Sequence, residues 1–156
     1  MKTLDVYTDT SVFGGVFDEE FEKASKAFFD LVRAGRYKLL VSDVSRQEIR
    51  WAPPQVREYF EQLLAFMRLV PLDERVLALR DAYVSAGIVA ARWTDDAAHV
   101  AAATVAQADL IVSWNFRHIV HFEKIRLYNA VNATRGFCAV EIRSPQEVID
   151  YENQDF

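Results

Sequence analysis

Short, almost wholly apolar runs alternate along this chain with longer stretches whose apolar positions recur at helical spacing. LDVYT at 4–8 is β-branched and closes at Asp9, which predicts a first strand. From Asp18 to Arg33 the residues Phe21, Ala24, Phe28, Leu31 and Val32 keep the helical period, and Gly35 follows as a left-handed cap. YKLLVS at 37–42 predicts a second buried strand, after which Ser42 can cap the helix SRQEIRWA. Pro53 and Pro54 restart the chain as a helix through about Met67. RLVPL at 68–72 predicts an edge strand, because Pro71 cannot donate to a central ladder. Helices follow at about Asp73–Ala86, closed by Gly87, and at Thr94–Gln107, capped by Thr94 or Asp95. LIVSW at 110–114 is the next buried strand. After it come a helical region through about Thr134, a strand GFCAVEI at 136–142 and a short helix at Pro145–Ile149.

Apolar strands separated by helices, without strict alternation, predict an α/β fold of three layers (α/β/α) around a mostly parallel central sheet. Neither a repeat, a low-complexity tract nor a Gly/Ser linker interrupts the pattern, so residues 1–156 are expected to form one domain. With 51% apolar residues the chain can fill a core. It has no apolar run long enough to span a bilayer, and an acid stands where a signal peptide would have its apolar centre. The lone Cys138 excludes an internal disulfide and reads as a packed small hydrophobe. Together these predict a cytoplasmic protein without membrane contact. The formal net charge of −5 argues against a protein that coats nucleic acid by charge alone, so any such contact must be local or metal-mediated.

Four residues far apart in sequence, Asp9, Glu48, Asp96 and Asn115, each stand where a strand ends or a helix starts. In parallel sheets ligands bind outside the carboxyl ends of the strands, so one fold could gather all four at a single edge. Carboxylates clustered there, with few cations nearby, call for a divalent metal. Each residue also has an ordinary structural explanation. Asp9 could cap a helix, Ser45-x-x-Glu48 could be a capping box, Asp96 suits a helix N-terminus and Asn115 suits a turn. Their joint placement carries the information.

That joint pattern resembles the PIN-domain family of metal-dependent ribonucleases, in its VapC-like toxin branch, over nearly the whole chain. The markers are D-T-S at Asp9–Ser11, S-x-x-S-x-x-E at Ser42–Glu48, D-A-A-H-V-A-A-A at Asp96–Ala103 and I-V-S-W-N at Ile111–Asn115. The resemblance implies that Asp9, Glu48 and Asp96 are core carboxylates binding Mg2+ or Mn2+, with Asn115 where a fourth acid usually stands. Trp114–His118 looks like a subgroup form of the last motif. Asp95 is the reserve ligand, and Ser11, Ser113 and His118 are candidate supports. The implied activity is endonucleolytic cleavage of single-stranded or looped RNA, with an antitoxin protein as partner and a homodimer as the assembly. The alternative is a module of the same fold that binds RNA or protein without cutting.

Hard divalent cations take oxygen ligands and keep several waters, so two or three carboxylates suffice. Arg46, Arg50, Arg92, Arg117 and His118 flank the motifs and could meet phosphates. Trp51, Trp93, Trp114 and Phe116 could stack bases or pack the core. Phe13, Phe17, Phe21, Phe28 and Phe29 read as core or as a subunit interface. A receiver-like phosphorylated domain needs an acidic partner for Asp9 and a late lysine, and both are missing. An aspartyl phosphatase would want D-x-D, where this chain has Asp9-Thr10-Ser11.

Overall fold

The structure is a computed structural model and describes residues 2–154. Its frame is a five-stranded sheet in the order β3-β2-β1-β4-β5, every adjacent pair parallel. The strands are β1 (Leu4–Thr8), β2 (Tyr37–Ser42), β3 (Met67–Val70), β4 (Leu110–Val112) and β5 (Glu141–Arg143). The chain leaves β1 toward β2 and β3 on one side and returns to β4 and β5 on the other. The order therefore reverses between β1 and β4, the kind of switch point where α/β sheets open a crevice.

Among the described residues eight α-helices cover the sheet: α1 (Thr10–Gly15), α2 (Glu22–Arg33), α3 (Asp43–Arg50), α4 (Pro54–Gln62), α5 (Glu74–Ser85), α6 (Thr94–Val105), α7 (Phe122–Thr134) and α8 (Pro145–Glu152). Alternation along the strands divides the interior into two cores. Tyr7, Leu40 and Ile111 join Leu79, Tyr83, Val100 and Tyr128 of α5–α7 on one face. Val6, Leu39, Val41 and Val112 join Phe13, Phe28, Phe29 and Phe60 on the other. A three-layer α/β/α fold results, and the sheet is wholly parallel where a mostly parallel one was expected.

Several boundaries moved, each for a local reason. The helix expected from Asp18 begins at Glu22, because Asp18 accepts the backbone N–H groups of Phe21 and Glu22 in a turn and its side chain accepts that of Glu20. Residues 10–15 form a helix that hydrophobic spacing did not indicate. The helix expected through Met67 stops at Gln62 and passes through a 3-10 turn into β3. At α6, Thr94 is already helical and turns its hydroxyl back to the Ala91 carbonyl, so neither Thr94 nor Asp95 serves as the cap; the capping position is Trp93. The strand expected at 136–142 begins only at Glu141, since the Asn129 side chain accepts from the Val140 N–H at 2.8 Å and donates to the Val140 carbonyl at 3.1 Å. Cys138 consequently lies outside the ladder and is exposed, not packed.

Of the phenylalanines considered for a subunit interface, Phe13, Phe28 and Phe29 have no exposed surface and belong to the core. Phe21 stacks on Trp114 with ring centroids 4.1 Å apart. Trp114 Nε1 donates to Ser25 Oγ at 2.8 Å across the spot where Gly15 lacks a side chain. A Cβ on Gly15 would meet Ser25 Oγ at 2.6 Å and Trp114 Nε1 at 2.8 Å. Gly15→Ala should therefore cost about 1–3 kcal/mol in denaturant unfolding, the range for overpacking a filled interior. An unchanged midpoint would mean that Trp114 is free to move.

Candidate active site

Three strand ends and one helix start build the site. β1 hands over to Asp9, which occupies the N-cap position of α1 without a side-chain capping bond. Its carboxylate accepts instead from Ser11 Oγ at 2.6 Å and also hydrogen-bonds Ser113. β2 ends at Ser42, whose hydroxyl caps α3 and forms a capping box with Ser45. Glu48 thus lies a turn beyond the cap and is free of capping duty. β4 ends at Val112, so Ser113 and Asn115 fall on the same edge. In a parallel sheet the helix leading into β4 starts at the edge where β4 ends, and that places Asp95 and Asp96 of the first turn of α6 there too.

A pocket of about 430 Å³ opens at this edge, lined by Glu48, Arg92, Trp93, Asp95, Asp96, Asn115, Arg117 and His118. Asp9 does not line it; it is buried, only 4% exposed, and couples electrostatically to Glu48 and His99. A second cavity of about 460 Å³ lies apart from the carboxylates, among α3, α4 and the β3 edge, with Ile49, Phe60 and Leu69 in its walls.

His99, the histidine of the D-A-A-H-V-A-A-A motif, organises the interior of the site. Its Nδ1 meets Tyr7 Oη at 2.7 Å, and Tyr7 Oη in turn meets Ser42 Oγ at 2.7 Å. On the other side, Nε2 meets Glu48 Oε1 at 2.5 Å, and Thr10 Oγ1 donates to the same oxygen at 2.8 Å. A buried chain of hydrogen bonds therefore runs Ser42–Tyr7–His99–Glu48. Only the spacing Asp96–His99 hinted at this, because the partners lie 51 and 92 residues away.

Electrostatics separate the acids. Burial raises Asp9 above the ordinary carboxylate value, with partial relief from His99 and the two serine hydroxyls. Burial also raises Asp96, eased by a hydrogen bond from the Asn115 side chain. For Glu48 burial works the same way, but the His99 hydrogen bond and charge outweigh it and hold the carboxyl below its usual value. Burial pulls His99 down, and Tyr7, Glu48 and Asp9 together lift it well above the usual histidine value. Each partner thus favours the charged form of the other.

Asn115 works in two directions: its oxygen accepts from the His118 N–H at 2.9 Å, while its side chain also bonds Asp96. Ser11 and Ser113 tie the β1 and β4 ends together. Ser11 Oγ accepts from the Trp114 N–H at 2.9 Å, and Ser113 Oγ accepts from the Asn115 N–H at the same distance. Trp93 lies between Arg92 and Arg117, whose guanidinium carbons stand 5.5 and 5.1 Å from its ring centre. It also packs on His118, centroids 4.9 Å apart. Trp114 is occupied by Phe21 and Ser25, whereas Trp51 and Phe116 are exposed.

The donor chemistry suits a hard divalent cation: Asp9, Glu48 and Asp96 supply carboxylate oxygens, and sulfur is absent from the pocket lining. As the side chains stand, no three His, Cys, Asp or Glu groups among the described residues converge closely enough to hold an ion. Glu48 faces His99 and Asp9 faces Ser11, so closing on a cation requires the carboxylates to turn from these partners.

No protein-family model and no curated protein matches this chain. Solved structures do. VapBC2 from Rickettsia felis, bound to a DNA fragment from its promoter, matches over 90% of this chain and 98% of that one, with 10% identity and a TM-score of 0.57. FitAcB from Neisseria gonorrhoeae covers the same shares at 16% identity and a TM-score of 0.59. FitAB bound to an IR36 DNA fragment covers 90% and 94%, at 15% identity and a TM-score of 0.57. At such identities the likeness is one of fold. The resemblance to the PIN-domain family is corrected accordingly: no family model supports it, and the neighbours are VapBC2, FitAcB and FitAB assemblies, none of them a PIN-specific match.

Proposed function

We propose that this protein is a Mg2+- or Mn2+-dependent endoribonuclease acting on single-stranded or looped RNA. One observation carries the reading: Glu48 and Asp96, from separate elements, line one pocket with Arg92 and Arg117 at the sheet's switch-point edge, with Asp9 buried beside them. Carboxylates and guanidinium groups lining one pocket suit a phosphodiester brought to a cation. Asp9, Glu48 and Asp96 would hold the ion, with Asp95 in reserve. Bound there, a divalent cation makes water a better nucleophile at neutral pH and offsets charge on the phosphoryl oxygens. His99 orients Glu48, Asn115 orients Asp96, and Ser11 and Ser113 hold Asp9 while joining the two strand ends.

The fold is shared with VapBC2 on its promoter fragment and with FitAB on DNA. That setting supports a toxin–antitoxin context with a protein partner; an antitoxin as that partner and a homodimer as the assembly belong to the proposal. No helix among the described residues is long and apolar enough to cross a membrane.

Manganese titrated calorimetrically into the protein should bind with micromolar affinity, and the Asp9→Asn/Asp96→Asn double variant should lose that binding. A panel of single-stranded RNAs should then be cut only when Mg2+ or Mn2+ is present. RNA retarded on a gel but left whole in every metal would overturn the nuclease reading in favour of a binding module.

A further inference from the structure

His118 is buried, only 6% exposed, and its Nε2 atom has no hydrogen-bond partner among the described residues. Such an orphan is costly in a folded protein and calls for an explanation. The other ring nitrogen provides one. Lys124 Nζ lies 3.1 Å from His118 Nδ1, and an ammonium can only donate, so Nδ1 must present its lone pair. The ring is then neutral and carries its proton on Nε2. The backbone fixes the residue as well: the His118 N–H donates to Asn115 Oδ1, and the His118 carbonyl accepts from Tyr128 Oη at 2.7 Å. Trp93 packs on the ring and holds Arg92 and Arg117 beside it. All of these residues, Lys124 and Tyr128 aside, line the same pocket as Glu48 and Asp96.

We propose that His118 is a substrate-contacting residue whose Nε2–H donates to a phosphoryl oxygen of bound RNA, with Lys124 as the positioning residue that fixes this tautomer. The inference rests on the nuclease reading and names the phosphate side of that site. Arg92 and Arg117, both exposed, can also donate to phosphate, whereas His118 offers a donor held in one place by its buried packing. Nε2 itself has almost no exposed surface, so the phosphoryl oxygen becomes its partner only as the pocket side chains give way on binding.

The test measures binding of a short single-stranded RNA by fluorescence anisotropy in the Asp96→Asn background, which keeps the RNA uncut. Adding His118→Ala should weaken binding about tenfold or more, the value of a hydrogen bond to a charged group. His118→Gln should retain most of the affinity, because its amide N–H reaches the place of Nε2, and His118→Asn should not. Lys124→Arg should behave as the parent, while Lys124→Met should follow His118→Ala in part. Far-UV circular dichroism checks that each variant is folded. Nitrogen-15 spectra of the free protein should show the Nε2–H tautomer. Unchanged affinity in His118→Ala, or a ring protonated at Nδ1 alone, would overturn the assignment while leaving the nuclease reading intact. Wild-type protein that neither binds nor cuts RNA would remove both.

Discussion

Asp96→Asn will lower metal-dependent RNA cleavage by at least about 100-fold, since even residues that merely support a metal ligand commonly cost 10- to 100-fold. Asn keeps the size of Asp96 and can still hydrogen-bond Asn115, but it removes the charge that a cation needs. The fold should not suffer. Burial raises Asp96 above its ordinary value of 3.8, so ionising it works against the folded state. Stability linked to this group therefore falls as pH rises above that value. The variant lacks the titration, so its melting temperature should equal or exceed that of the wild type at neutral pH, with a gap that opens as pH rises above 3.8 and levels off above the folded-state value. Initial rates on a cleavable RNA and a thermal melt at two pH values check both halves. Full activity in the variant would remove Asp96 from the site, and a collapsed melt would mean that its carboxylate is structural.

The second large effect concerns His99. His99→Ala leaves Glu48 without its imidazole partner, Tyr7 Oη with Ser42 as its remaining partner and a void where the ring was. Breaking a buried ion pair from one side commonly costs about 3–5 kcal/mol. Here about 3 kcal/mol is expected, because a third of the Glu48 side chain reaches solvent and screens the loss. The sign of the pH dependence follows from both partners. His99 is raised above 6.5, so its contribution is complete below that value and fades as pH climbs through the folded-state value. Glu48 is lowered below 4.5, so its contribution is complete above that value and fades as pH falls through the folded-state value. The penalty of His99→Ala should therefore be largest between about pH 4.5 and 6.5 and shrink on either side. Urea unfolding across pH 3–9 measures it. A penalty that does not vary with pH would mean that His99 contributes packing alone. Cleavage should fall as well, because Glu48 loses the group that aims it.

The placement of the carboxylates was legible before any coordinates. β1 and β2 were readable as apolar runs ending at polar residues, and the parallel sheet then required their C-terminal ends to share an edge. Ser42 could be read as the α3 cap, which freed Glu48 from that duty. Other features were not readable because their causes are not local. The Asn129 side chain, on α7, decides where β5 starts and leaves Cys138 in solvent. The aromatic segment between Phe13 and Phe29 looked equally suited to a core or an interface, and only packing settled that Phe13, Phe28 and Phe29 face inward.

By itself the sequence determined most of the elements, the parallel arrangement and the edge near which Asp9, Glu48, Asp96 and Asn115 lie, because hydrophobic period and chain punctuation act over a few residues. The tertiary structure alone decided who pairs with whom there. It set His99 against Glu48, Lys124 against His118 and Trp93 between two arginines. Those pairings depend on rotamers and on distances across helices distant in sequence, and a local pattern of residue types carries no record of them.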